Sequence, residues 1–170
     1  NRAVQRLYDP GSTLKIVTAS AALESRRVAL TELFDCSKGV IESAGSPIRD
    51  HKNLGILTFA GVLVNSSNVG TIQIGRRVGP ESLLQTVRAF GFGEKTGIEL
   101  PAEAAGIVHP LAEWTRRSID SVSIGYEISV TPLQVLQAMN VIANGGDLVR
   151  PHLVRSVMGG SATPSRAPAK

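Results

Sequence analysis

A chain of 170 residues with 42% hydrophobic content has the length of one domain or part of one, and enough apolar material for a buried core. Aromatic residues make up only 4%, so that core is built from Leu, Ile, Val and Ala, a composition suited to helices packed on one another or on a small sheet. The net charge of +4 comes largely from the separated pairs Arg26-Arg27, Arg76-Arg77 and Arg116-Arg117, with no basic run and no interleaved aromatics; this argues against a nucleic-acid surface, and no run of about 18 uncharged apolar residues is present to cross a membrane.

The turn Tyr8-Asp9-Pro10-Gly11 leads into a helix expected over residues 12–27, apolar on nearly all sides and therefore central and buried. From Leu33 to Asp50 the pattern breaks at Gly39, Gly45 and Pro47, which predicts a small hairpin or loop excursion. An apolar run over 56–64 gives way to Asn65-Ser66-Ser67-Asn68, and a second helix is expected from about Val69 until Gly79-Pro80 stops it. Residues 81–90 read as a further helix, 96–101 as a short extended stretch, 103–109 as a loop and 122–130 as a strand. Thr131 as N-cap and Pro132 at the first helical position then open a helix that ends at Asn144-Gly145-Gly146. The chain divides into a domain over 1–158 and a Gly/Pro/Ser/Ala-rich tail over 159–170, expected to be flexible.

Isolated polar residues have plain explanations. Cys36 is the only cysteine, so no internal disulfide forms, and without a nearby His it reads as a small packing residue. Asp50-His51 reads as a loop pair that caps a turn. His109 and His152 neighbour prolines and lack metal-ligand spacing, and Trp114 reads as a packing anchor.

Two constellations carry chemistry. Ser12 and Lys15 lie three residues apart at the start of the first long helix, which puts a hydroxyl and an amine on one face. A hydroxyl is a poor nucleophile at neutral pH unless a base takes its proton, and a lysine whose pKa is lowered by desolvation is such a base. The same pattern also describes an ordinary capped helix. Ser66-Ser67-Asn68 follows some fifty residues later; a hydroxyl that passes a proton and an amide that both donates and accepts are useful beside that pair, although the triplet alone is also a cap or a turn. Serine acyltransferases that recognise penicillin carry S-x-x-K, S-x-N and K-[ST]-G in that order.

The likeness extends past the motifs. The blocks NRAVQRLYDPGSTLKIVTASAALE, VNSSNVG, GFGEKTGIELPAE and SVSIGYEISVTPLQVLQAMNVIANGG resemble, in order, those of a class B penicillin-binding protein transpeptidase domain, most of all the division-specific type. The resemblance implies an α+β fold, here the mostly helical portion of the penicillin-binding protein and serine β-lactamase-like fold without most of its core sheet, leaving an apolar face exposed. It makes Ser12 the nucleophile acylated by the D-Ala-D-Ala end of a peptidoglycan stem peptide, Lys15 its base, Ser66 a proton relay and Asn68 a ligand of the substrate backbone. It further implies binding of β-lactams, other cell-division proteins as partners, no metal or organic cofactor, and a place on the extracytoplasmic side of the cell inner membrane. Asp50-His51 resembles a family position near the second-motif segment, beside its plainer reading as a loop pair that caps a turn. Lys95-Thr96-Gly97 spells the third motif, but it sits in a block that the family keeps away from the nucleophile, so it is expected not to be catalytic. The third motif is expected downstream of the Asn-Gly-Gly block, and acylation by the isolated chain is expected to be weak or absent. A non-catalytic scaffold and a β-lactam-hydrolysing or -sensing relative are the alternative readings.

Overall fold

Small residues explain why the first long helix becomes the centre of the molecule. The structure, a computed structural model, describes residues 1–156. After a short helix α1 (Arg2–Gln5), a 3-10 turn (Gly11–Leu14) runs into helix α2 (Lys15–Glu24), whose Val17, Thr18, Ala19, Ala21 and Ala22 are buried. Strands β1 (Leu33–Cys36), β2 (Val40–Ser43), β3 (Ser46–Arg49) and β4 (Gly55–Thr58) follow, then helices α3 (Phe59–Val64), α4 (Asn68–Val78) and α5 (Pro80–Ala89). Strand β5 (Ile107–Val108), α6 (Ser118–Ser123), β6 (Ile128–Ser129) and α7 (Pro132–Ala143) complete the described chain. Helix α2 packs on α4 and α5, and α4 packs in turn on α6. The α4–α6 approach is close because residue 75 is glycine: a Cβ there would lie 1.8 Å from Ser123 Oγ.

The strands form three separate antiparallel pairs, β1 with β4, β2 with β3 and β5 with β6, so the described architecture is α+β and largely helical. Fully buried Phe34, Phe92, Leu14, Val17, Ile74 and Leu83 lie in the core, and Cys36 packs there as a small buried residue.

Locally encoded elements fall where they are expected. Thr131 and Gln134 form a reciprocal capping box at the start of α7, with Pro132 in the first turn, and β2–β3 is the hairpin around Gly45. Three expectations change. The helix expected to 27 ends at Glu24, because Ser25 Oγ and N both return to the Ala21 carbonyl and Arg26 turns left-handed at φ 53°. The strand expected over 122–130 is instead the end of α6 and two residues of β6; Ser123 Oγ donates to Ile119 O at 2.6 Å, a helical bond that satisfies its buried hydroxyl. The stretch 96–101 forms no strand. Glu103, buried, gathers Thr96 N (2.8 Å), Thr96 Oγ1 (2.5 Å) and Gly97 N (3.1 Å) into a turn, while β5 occupies part of the expected 103–109 loop. The boundary at 158 and the tail over 159–170 lie outside the described residues.

An apolar face does stay open. Val64 is 84% exposed, Leu136 66% and Ile142 49%, from α3 and α7. Among the described residues no helix is long and apolar enough to cross a membrane.

Candidate active site

The turn that carries Ser12 is fixed by its neighbours in space. Gly11 N donates to Gly125 O at 3.0 Å, and Tyr8 and Val130 exchange backbone bonds at 3.1 and 2.9 Å, so residues 8–11 are tied to the 125–130 segment. The fit is tight: Gly125 has φ 86°, and a Cβ on it would lie 2.0 Å from Gly11 O. Ser12 stands exposed on the 3-10 turn, one residue after the left-handed Gly11, and its backbone N–H bonds no carbonyl among the described residues.

Lys15, in the first turn of α2, is only 3% exposed. Its ammonium has three donors and uses all of them on the second motif: Ser66 O at 2.5 Å, Asn68 Oδ1 at 2.8 Å and Ser66 Oγ at 3.1 Å. Burial pulls its pKa from 10.5 down to about 8, a drop that the nearby Asp50 carboxylate partly opposes. A lysine so placed is charged in its resting state yet gives up a proton near neutral pH.

The second motif is the junction of two helices. Ser66 N donates to Leu63 O and Ser67 N to Val62 O, the pair of bonds that closes a Schellman motif at the end of α3, and Ser66 takes its left-handed position at φ 50°. Glycine is usual there; a serine costs about 1 kcal/mol and persists where the surroundings hold it. The reversal aims both the hydroxyl and the carbonyl of Ser66 at Lys15. Ser67 then caps α4, its Oγ accepting from Gly70 N at 2.9 Å. Asn68 opens α4 with its amide orientation fixed by chemistry: Lys15 only donates, so it meets Oδ1, and Arg49 O only accepts, so it meets Nδ2 at 2.8 Å.

Ser12, Lys15 and Ser66 line one cavity of about 470 Å³, together with the apolar Ile16, Leu63, Val64 and Met139. Asn68 reaches this cavity's wall through its bond to Lys15, and lines a second cleft with Ile48, Arg117, Tyr126 and Glu127. The four residues singled out in the sequence are thus brought together, with one difference from the simplest expectation: the resting Lys15 bonds Ser66 and Asn68, and it shares a cavity with Ser12 without bonding it. Lys95 is exposed and lines no part of this cavity, and Thr96 is buried against Glu103. Asp50 was legible as a turn cap or, through the family resemblance, as a position near the second motif. It accepts from Ser67 Oγ at 2.7 Å, from Asn68 N at 2.5 Å and from Val69 N at 3.2 Å, and so caps a helix 18 residues away rather than its own loop. No local pattern signals such a contact. His109 pairs with Glu113 at 2.8 Å, away from the site.

A family model described as the penicillin binding protein transpeptidase domain matches residues 1–170. The penicillin-binding protein PbpB of Mycolicibacterium smegmatis is 36% identical over 165 residues, covering 96% of this chain and 25% of the relative. The peptidoglycan D,D-transpeptidase MrdA of Acinetobacter baumannii is 35% identical over 172 residues, covering 94% of this chain and 25% of the relative. Among solved structures, penicillin-binding protein 3 of Mycobacterium tuberculosis complexed with aztreonam superposes with a TM-score of 0.92 at 35% identity, over 99% of this chain and 38% of that one. The chain therefore spans about a quarter of the length of these curated relatives.

Proposed function

The chain belongs to the penicillin-binding protein transpeptidase domain family, and from that premise we propose that it carries the acylation machinery of a peptidoglycan D,D-transpeptidase of the division-specific type. The observation that carries the reading is the buried Lys15 ammonium bonded to Ser66 and Asn68 on the wall of the cavity that Ser12 lines.

In this reading neutral Lys15 accepts the Ser12 proton as Ser12 Oγ attacks the carbonyl carbon of the penultimate D-Ala of a stem peptide. The Ser12 backbone N–H, which bonds no carbonyl among the described residues, meets the oxygen that becomes negative. As the C–N bond breaks, Ser66 passes a proton to the departing D-Ala amine, and Ser12 is left as an ester. An amine from a neighbouring stem attacks that ester, and the new amide crosslinks the wall while Ser12 regains its proton. Asn68 keeps one N–H of Nδ2 for a donor-peptide carbonyl, its other being spent on Arg49 O. β-Lactams acylate the same hydroxyl. Partners are peptidoglycan stems, β-lactams and other division proteins, and the domain works outside the inner membrane of the cell; no organic cofactor or metal takes part.

The test is covalent labelling of the full-length protein by a fluorescent penicillin, with Ser12→Ala alongside. The wild type takes up label and Ser12→Ala takes up none. Equal labelling of the two would remove Ser12 from the mechanism.

A further inference from the structure

Helix α4 begins with four backbone N–H groups that its own turn cannot satisfy. Ser67 N turns back to Val62 O at 2.9 Å and Ser67 Oγ takes Gly70 N at 2.9 Å, and the two between them, Asn68 N and Val69 N, point out of the helix at Asp50. Asp50 stands directly after β3, and its other carboxylate oxygen accepts the Ser67 hydroxyl proton at 2.7 Å. The preceding residue completes the hold, since Arg49 O takes Asn68 Nδ2 at 2.8 Å. One dipeptide at the end of a hairpin strand thus fixes Ser67 by its side chain and Asn68 by both its backbone and its amide. Between them and α3 sits the left-handed Ser66, whose hydroxyl and carbonyl meet Lys15.

We propose that Asp50 is a positioning residue of this site: its carboxylate clamps the α3–α4 turn so that Ser66 and Asn68 both reach Lys15, and it keeps a negative charge behind that amine. The proposal rests on the acyl-serine reading above. The carboxylate is well placed for this because the positive end of the α4 dipole favours it. The groups that face it are Lys15 from α2, the Ser67 and Asn68 donors from α4, and the Cys36 thiol at the end of β1, which bonds Ser67 Oγ at 3.4 Å. Burial, with the Asp50 and Asp35 charges adding to it, raises the Cys36 pKa, so the thiol stays neutral and does not compete for the role. Its chain neighbours Arg49 and His51 are exposed.

Two variants separate the clamp from the charge. Asp50→Asn keeps an amide oxygen for Asn68 N and Val69 N, and its NH₂ meets Ser67 Oγ, whose proton turns to Cys36; the geometry stays and the charge goes. Asp50→Ala removes both. In single-turnover acylation of the full-length protein by a fluorescent penicillin, followed against pH, Asp50→Asn moves the acid limb of the profile down by about one unit, because Lys15 loses the charge that favours its protonated form. Its plateau stays within about tenfold of wild type, whereas Asp50→Ala loses about 10²-fold at the plateau because Asn68 and Ser66 drift from register. A residue that only stabilised the fold would lower the melting temperature and leave the limb in place. An Asp50→Asn profile that superimposes on the wild type overturns the proposal while labelling that still depends on Ser12 leaves the acyl-serine reading intact; labelling that survives Ser12→Ala overturns both.

Discussion

Replacing Lys15 by Arg keeps a positive charge at the centre of the site and removes the base. With its pKa lowered to about 8, roughly a tenth of Lys15 is neutral at pH 7. An amine left at the ordinary 10.5 would be neutral in only about three molecules in ten thousand, so the site, with burial outweighing the opposing Asp50 charge, raises the base population about 300-fold. The three bonds also say which is given up. Ser66 O at 2.5 Å and Asn68 Oδ1 at 2.8 Å keep the two remaining N–H donors, and the lone pair replaces the longest bond, that to Ser66 Oγ at 3.1 Å, on the cavity side. Acylation of the full-length protein by a fluorescent penicillin, measured under single-turnover conditions, therefore rises about tenfold per pH unit below about 8 and levels above it. Arginine stays protonated at any accessible pH, so Lys15→Arg lowers the plateau by about 10² to 10⁴ and abolishes the limb. A wild-type rate that is flat through pH 8, or a Lys15→Arg rate within about tenfold of it, would refute the assignment of Lys15 as base.

Lys95→Ala leaves the acylation rate within about twofold, because Lys95 points to solvent away from the cavity; a loss comparable with that of Lys15→Arg would restore the Lys95-Thr96-Gly97 sequence as a catalytic motif. Glu103→Ala strands Thr96 N, Thr96 Oγ1 and Gly97 N, and costs about 2 kcal/mol in denaturant melts with little change in acylation per folded molecule. Gly125→Ala drives a Cβ to 2.0 Å from Gly11 O and forces a left-handed alanine at φ 86°. The expected cost is about 3 kcal/mol, read as a melting temperature lower by on the order of 10 °C, together with slower acylation because Gly11 carries Ser12; an unchanged melt would show that the two turns do not support each other.

Elements encoded within a few residues were legible in the chain. Thr131-Pro132 opens α7, Gly79-Pro80 separates α4 from α5, and Gly45 turns the β2–β3 hairpin, because each cap or turn is satisfied by its immediate neighbours. Distant partners decide the rest. Residues 122–130 alternate in a way that reads as a strand, yet 122 and 123 end α6, the helix whose Asp120 is buried in a two-pronged bond to Arg76, 44 positions away, with both contacts at 2.6–2.7 Å. Glu103 likewise dictates the turn at Thr96. At the site, the residue types of Ser12, Lys15, Ser66 and Asn68 were visible, and with them the class of chemistry. Hidden were the left-handed backbone of Ser66, which serine does not advertise, and the reach of Asp50 across to α4, which no spacing encodes.

The most direct measurement is the covalent map of the full-length protein after reaction with benzylpenicillin, obtained by proteolysis and tandem mass spectrometry. The account predicts a single penicilloyl adduct, placed on Ser12, that is absent from Ser12→Ala and slow to form in Lys15→Arg. An adduct on Ser66 or another residue, with Ser12 unmodified, would contradict it.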